Sequence, residues 1–168
     1  GDKLNVCTVI GFPLGYNTTE TKVYETQKAL ADGAGEVDMV VNLGDVKNGE
    51  FPKITREIEA VKKAAGHHVV KVIIETCYLT EDEKRELCKC VTDGGADYIK
   101  TSTGFGTAGA RIEDVRLFKR YIGEGVKIKA AGGVKTREDL EQFLEEGCER
   151  IGTSSALKLL GGQEAGTY

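Results

Sequence analysis

The chain has 168 residues, enough for one domain core and too few for two independent ones. Hydrophobic residues make up 40% and charged residues 30%, the balance of a soluble globule, and no apolar run nears the ~18 residues of a membrane span. With 23 Lys and Arg against 27 Asp and Glu, the net charge is -4, which disfavours nucleic acid as a partner but leaves room for an anionic metabolite where a few cations converge.

Six short segments are rich in Val and Ile and read as strands: Asn5–Ile10, Glu36–Asn42, Val69–Thr76, Tyr98–Thr101, Val126–Ala130 and Arg150–Thr153. Between them run charged stretches with helical spacing, at Thr19–Ala31, Lys53–Ala65, Glu81–Asp93, Glu113–Tyr121 and Arg137–Glu146, and Leu157–Leu160 follows the last strand. Strand followed by helix, repeated, implies parallel strands with crossover helices. Thr80-Glu81-Asp82-Glu83 reads as a capping box, and Thr136-Arg137-Glu138-Asp139 as a variant with Asp as the third partner. Gly33, Gly66, Gly94 and Gly147 stand at the helix exits, where a left-handed cap is expected. Only two prolines and no low-complexity tract interrupt the chain, so residues 1–168 are expected to form a single domain.

Three junctions, beginning at Gly33, Gly95 and Gly147, share a frame in which Asp38, Lys100 and Gly152 occupy matching places. Such repetition fits a barrel or a doubly wound sheet. Eight strand–helix units would leave about 21 residues each, too few when a βαβ unit needs roughly 30, whereas six leave about 28. A complete eight-fold barrel takes roughly 250 residues. The expected fold is therefore α/β of the TIM-barrel type, with six parallel units, truncated or rearranged relative to eight.

Strand parity selects the inward side chains. In Val126-Lys127-Ile128-Lys129-Ala130 the two lysines share one face, and they belong in a barrel interior or on an open face, because a helix layer would leave them unpaired. By the same parity Lys100, Asp38, Lys71 and Glu75 point inward. One reading of this charge is a satisfied Lys–Asp–Glu network. The other is chemistry: two crowded ammonium groups depress each other's pKa, and a neutral lysine attacks carbonyls to form a Schiff base while a nearby carboxylate moves protons. Glycine-rich turns follow the last three strands, at Ser102–Gly106, Ala131–Thr136 and Gly152–Ser155, and the last two sit where barrel enzymes hold phosphate. Five cysteines (Cys7, Cys77, Cys88, Cys90, Cys148), odd in number and without CxxC, read as reduced core or helix residues of a cytoplasmic protein, and the chain's polar start, Gly1-Asp2-Lys3-Leu4-Asn5, is unlike a secretory leader. His67 and His68 read as loop residues at the bottom of the barrel.

Six stretches together resemble the deoxyribose-phosphate aldolase family of class I aldolases: Val6–Gly15 (VCTVIGFPLG), Glu36–Asn42 (EVDMVVN), Val70–Thr76 (VKVIIET), Tyr98–Gly106 (YIKTSTGFG), Lys127–Val134 (KIKAAGGV) and Arg150–Ser155 (RIGTSS). The resemblance implies reversible cleavage of 2-deoxy-D-ribose 5-phosphate to acetaldehyde and glyceraldehyde 3-phosphate. It implies Lys100 as the Schiff-base lysine, Lys129 as the lysine that lowers its pKa, Asp38 as part of a proton relay, and Tyr168 as a terminal tyrosine that assists proton movement. Phosphate would be held by Gly132, Gly133, Lys135, Gly152, Ser154 and Ser155, with Thr103 beside them. No metal or other cofactor is implied, because an iminium activates the carbonyl. The family's barrel has two further strands, with an Asp-His-Thr-type motif on the first, that have no counterpart in this sequence. Three forms are open: a smaller closed barrel, two chains that cover each other's edges, or an inactive fragment that binds phosphate and self-assembles. The second, a homodimer, is the expectation. A wider pocket with a broadened aldehyde range is the alternative enzyme reading.

Overall fold

The computed structural model describes residues 4–161. Six strands form one sheet in strict chain order: β1 (Cys7–Ile10), β2 (Glu36–Val40), β3 (Val69–Ile73), β4 (Tyr98–Lys100), β5 (Lys127–Ala131) and β6 (Arg150–Gly152). Every neighbouring pair is parallel. Crossovers of one hand between strands laid down in sequence place every connecting helix on the same side of the sheet. That is barrel winding, and it removes the doubly wound alternative, which requires the order to reverse.

The helices are α1 (Thr19–Ala31), α2 (Leu43–Lys47), α3 (Phe51–Ala65), α4 (Glu81–Asp93), α5 (Ile112–Tyr121), α6 (Arg137–Glu145) and α7 (Ala156–Leu160). Both predicted capping boxes form, Thr80 with Glu83 and Thr136 with Asp139, so two orphan amides at each helix start are satisfied locally. In α3, Ile54, Ile58, Val61 and Ala65 recur at helical spacing and are buried. At the exit of α4 the sequence reading is off by one residue: Gly94 keeps a right-handed conformation, and Gly95, at φ 71°, makes the left-handed turn. Helix α2 and a 3-10 turn at Thr76–Tyr78 have too few residues to show a period and were not anticipated.

The outward faces of the strands build the core. Val37, Met39, Val70, Val72, Ile99, Ile128 and Ala130 are buried together with Ile58, Val61, Leu87, Val91, Val115 and Phe118 from the helices. The inward faces carry charge and polarity instead, and their contacts show that the sheet curls. Arg150 on β6 donates two hydrogen bonds to Glu36 on β2, at 3.1 and 3.0 Å. In a flat sheet those strands would lie four spacings apart, roughly 19 Å at ~4.8 Å per strand, beyond the reach of the two side chains. Among the described residues β1 and β6 do not pair with each other, so six strands form a curled half-barrel with two edges. The smaller closed barrel is therefore not what this chain forms: the sheet curves, but its end strands find no shared ladder.

Candidate active site

Asp38 is the centre of the interior. It lies midway along β2, is 2% exposed, and its neighbours Val37 and Met39 anchor the opposite face in the core. Three lysines from three strands converge on its carboxylate. Lys100 Nζ (β4) donates to Oδ2 at 2.8 Å, Lys129 Nζ (β5) donates to the same oxygen at 2.7 Å, and Lys71 Nζ (β3) donates to Oδ1 at 2.9 Å. The register explains the meeting. Asp38 is level with Lys71, and Lys100 is level with Lys129, so side chains of one parity fall into adjoining layers inside the curl.

A second layer lies beneath. Glu36, two residues before Asp38 and on the same face, accepts from Arg150 and pairs with Lys71 at 2.6 Å. Tyr98 closes the bottom, with Arg150, Lys127 and Lys71 over its ring at 5.7, 5.9 and 6.0 Å. Lys71 is fully buried and spans the two carboxylates; burial alone would lower its pKa, but the bond to Glu36 and the charge of Asp38 outweigh that and raise it.

The electrostatics single out Lys100. Burial lowers its pKa and the ammonium of Lys129 lowers it further, while Asp38 pulls the other way; the net direction is down. For Asp38 burial acts to raise the pKa, yet Lys100 and Lys129 outweigh it and hold the carboxyl well below the usual range. Glu36 likewise is lowered to about 2: its burial opposes ionisation, and the bonds from Arg150 and Lys71 overcome it. Asp38 and Glu36 thus rest as anions, and the crowding of positive charge falls on Lys100.

Cysteine usage departs from the sequence reading at one position. Cys88, Cys90 and Cys148 are buried, as core or helix thiols should be. Cys7, on β1, belongs to the charged interior: its Sγ lies 3.2 Å from Asp38 Oδ1 and 3.4 Å from Lys71 Nζ. Its pKa is raised by burial and by the Asp38 charge, so it stays a thiol. Parity held the signal, since Cys7 and Val9 share a face of β1; the same rule applied to Glu36 and Arg150 finds the lower layer that motif reading missed.

The glycine turns come together at the C-terminal ends of β5 and β6. Gly132 and Gly133 adopt φ of 78° and 79°, and a Cβ on Gly109 would meet the Gly132 backbone at 2.4 Å, so the loop after β4 packs directly on this turn. Thr153 Oγ1 donates to the Val134 carbonyl at 3.0 Å, which ties the turn of Gly152, Ser154 and Ser155 to that of Gly132 and Gly133. A Cβ on Gly152 would sit 3.0 Å from Ala131 Cβ, so this turn packs closely on β5. Lys135 and Ser154 are exposed around this turn pair. Thr103 is placed differently. Its amide donates to Glu75 at 3.1 Å and its hydroxyl to the same carboxylate, so both its donors are committed to an anion and not offered beside the glycine turns. Glu75, predicted to share the Lys71 face, lies beyond the end of β3 at φ 55°, where strand parity no longer applies. Tyr168 lies outside the described residues. Among the described residues, no three His, Cys, Asp or Glu side chains converge as metal ligands would. His67 and His68 sit in the loop before β3, stacked on each other.

Comparisons with known proteins agree on one family. Residues 2–162 match the model described as DeoC/LacD family aldolase. A deoxyribose-phosphate aldolase of Clostridium botulinum (strain Alaska E43 / Type E3) is 63% identical over 168 residues, covering 100% of this chain and 76% of the relative. Among solved structures, an aldolase designated QR15 superposes with a TM-score of 0.92 at 41% identity, covering 96% of this chain and 73% of that one. The deoxyribose phosphate aldolase from Aeropyrum pernix, described as having a unique tetrameric structure, gives 0.82 at 33% identity, over 95% of this chain and 68% of that one.

Proposed function

We propose that this chain, which belongs to the DeoC/LacD family of aldolases, is a class I lyase that reversibly cleaves 2-deoxy-D-ribose 5-phosphate to acetaldehyde and glyceraldehyde 3-phosphate through a Schiff base on Lys100. One observation carries this reading: Lys100 and Lys129 bond the same oxygen of a buried carboxylate, which crowds two ammonium groups in a site where the first is already desolvated. The neutral amine of Lys100 attacks C1 of the open-chain sugar. Lys129 supplies the proton with which the carbinolamine oxygen leaves as water, and Asp38, bonded to both lysines, holds them in line and passes protons between them. The iminium draws electrons from the C2–C3 bond as the C3 hydroxyl gives its proton to Lys129, left neutral by the departure of water. Glyceraldehyde 3-phosphate departs, Lys129 returns that proton to C2 of the enamine, and water releases acetaldehyde and the free lysine.

The phosphate belongs at the paired turns of Gly132, Gly133, Gly152, Ser154 and Ser155, with Lys135 as the cation, because backbone approach there is close and a positive side chain stands beside it. Thr103, held by Glu75, shapes the turn that follows Lys100. Tyr168 remains assigned to proton transfer. Trapping with acetaldehyde and borohydride, followed by mass spectrometry, tests the reading: a stable adduct on Lys100 and turnover of deoxyribose 5-phosphate support it, and a folded protein that forms no adduct overturns it.

A second copy of the chain is proposed to cover the open edge at β1. Val6 and Val9 on that edge and Tyr24 on α1 are exposed and line a groove of about 650 Å³. An apolar sheet edge of this kind pairs with another chain. Light scattering that finds a stable monomer at micromolar concentration would remove this proposal. No helix among the described residues is long and apolar enough to cross a membrane, and the five free cysteines suit the reducing cytoplasm, where we place the protein.

A further inference from the structure

Arg150 stands at the free edge of the sheet. Its strand, β6, is three residues long and, among the described residues, pairs only with β5. In that ladder Arg150 is level with Lys129, which is level in turn with Lys100 on β4. Lys100 and Lys129 both bond Asp38. The guanidinium of Arg150 goes elsewhere: it crosses the open interior to β2 and takes both oxygens of Glu36, Nη1 on Oε2 at 3.1 Å and Nη2 on Oε1 at 3.0 Å. Glu36 is buried and lies two residues before Asp38 on the same face of β2. A forked bond from a planar guanidinium to a carboxylate fixes orientation as well as distance.

The place of this pair matters more than its strength. Asp38 on β2 and Lys129 on β5 are three spacings apart along the sheet, roughly 14 Å if it were flat at ~4.8 Å per strand. They bond at 2.7 Å because the sheet is curled. The Glu36–Arg150 bond spans the same curl one layer away and one strand further, and so ties the free edge to β2. The pair also acts through Lys71. Glu36 Oε2 accepts from Arg150 and lies 2.6 Å from Lys71 Nζ, whose other carboxylate partner is Asp38. Without the guanidinium, Glu36 draws more on Lys71, and Asp38 is left to Lys100 and Lys129. A carboxylate less shared holds the proton of Lys100 more firmly, and a flatter sheet moves Lys129 away from it; both changes favour the ammonium form of Lys100.

We propose that Arg150 is a positioning residue for the aldol reaction: its two-pronged hold on Glu36 across the open interior keeps the sheet curled tightly enough for Lys129 to crowd Lys100. The inference rests on the Schiff-base reading given above and adds the residue that keeps that lysine reactive. The groups that face Lys100 from the other strands are Asp38, Lys71, Lys129 and the thiol of Cys7. Beneath them stand Glu36, Arg150 and, over the Tyr98 ring, Lys127. Glu75, past the end of β3, is bonded to Thr103. Of these, Arg150 is the cation that joins the edge strand to β2. A lysine in its place keeps the charge but lacks the planar fork, so grip and charge can be told apart.

The test measures the pH–rate profile of 2-deoxyribose 5-phosphate cleavage in the full chain, in Arg150→Met, in Arg150→Lys and in Arg116→Met, which takes an arginine from an exposed pair with Glu146 on the helix side. The expected result is an acid limb moved up by about half a pH unit in both Arg150 variants, with about threefold less rate at pH 7 that alkali restores in full, and an unmoved limb in Arg116→Met. Mere loosening of the fold lowers the rate alike at every pH. Arg150→Lys, conservative at a half-exposed side chain, carries the test by itself where circular dichroism shows that Arg150→Met does not fold. An acid limb that stays in place, a loss equal at every pH, a limb that moves in Arg150→Met but not in Arg150→Lys, or an equal movement in Arg116→Met overturns this inference and leaves the Schiff-base reading intact. Absence of sugar cleavage in the unsubstituted chain, together with absence of a borohydride-trapped adduct on Lys100, overturns both.

Discussion

The two faces of one sheet do different work here. On the helix side, Val37, Val72, Ile99 and Ile128 are apolar and buried, and packing against Phe118 and Ile58 holds the strands in place. On the concave side, one residue away along each strand, Asp38, Lys71, Lys100 and Lys129 share two carboxylate oxygens. The first face is tolerant in detail, because apolar contacts are non-directional; the second is intolerant, because each charge depends on a partner at hydrogen-bond distance. The core supplies rigidity, and that rigidity keeps desolvated charges close enough to perturb one another.

The sharpest break of this contrast is Lys100→Leu. It is expected to lower the rate of deoxyribose 5-phosphate cleavage by roughly 10⁴-fold or more, because no other group takes over as nucleophile, while the chain still folds, because Lys71 and Lys129 remain bonded to Asp38. Borohydride trapping checks the same variant, which should give no adduct. On the opposite face, Phe118→Ala is expected to cost about 3–5 kcal/mol of stability by cavity formation, measured by urea unfolding, with an unaltered pH–rate profile in the molecules that remain folded.

Lys129→Leu joins the two properties. Removing that ammonium raises the pKa of Lys100, since Lys129 is one of the causes that lower it. The neutral fraction of Lys100 then falls at pH 7, and the acid limb of the pH–rate profile should move to higher pH, with a loss of at least about tenfold at neutrality that alkali only partly recovers, because the proton donor is missing too. An acid limb that stays where it was would separate Lys129 from pKa tuning.

The smallest effect concerns acid stability. Glu36 is lowered to about 2 in the folded chain, against 4.5 for the free group. A carboxyl that binds its proton more weakly when folded adds stability above pH 4.5, and that contribution is lost as the pH falls from 4.5 towards 2. Unfolding measured across this interval should therefore show a shallower acid slope in Glu36→Gln than in the parent chain, once the variant's lower starting stability is subtracted.

Much of this was legible in the order of residues. Alternation of Val and Ile with charged helical stretches located six strands, and the period of two placed Asp38, Lys71, Lys100 and Lys129 on one side of them. The glycine turns and both capping boxes were readable because backbone conformation there depends on local residue type. Other features left no local trace. Cys7 looked like any buried thiol until the pairing of β1 with β2 set it diagonally across from Asp38, and Thr103 looked like a phosphate donor until the loop after β3 delivered Glu75 to it. Glu36 and Arg150 are 114 residues apart and meet only because the sheet bends.

Local chemistry, then, determined which side chains face inward, because the pleat alternates whatever the sheet does. How far apart those side chains lie was decided by curvature, a property of six strands acting together and of the helices packed behind them. The reactivity proposed for Lys100 depends on that separation, since the influence of one charge on another falls steeply with distance and with access of water. The residue types for an aldolase site are written along the chain; their mutual pressure exists only once the sheet has curled.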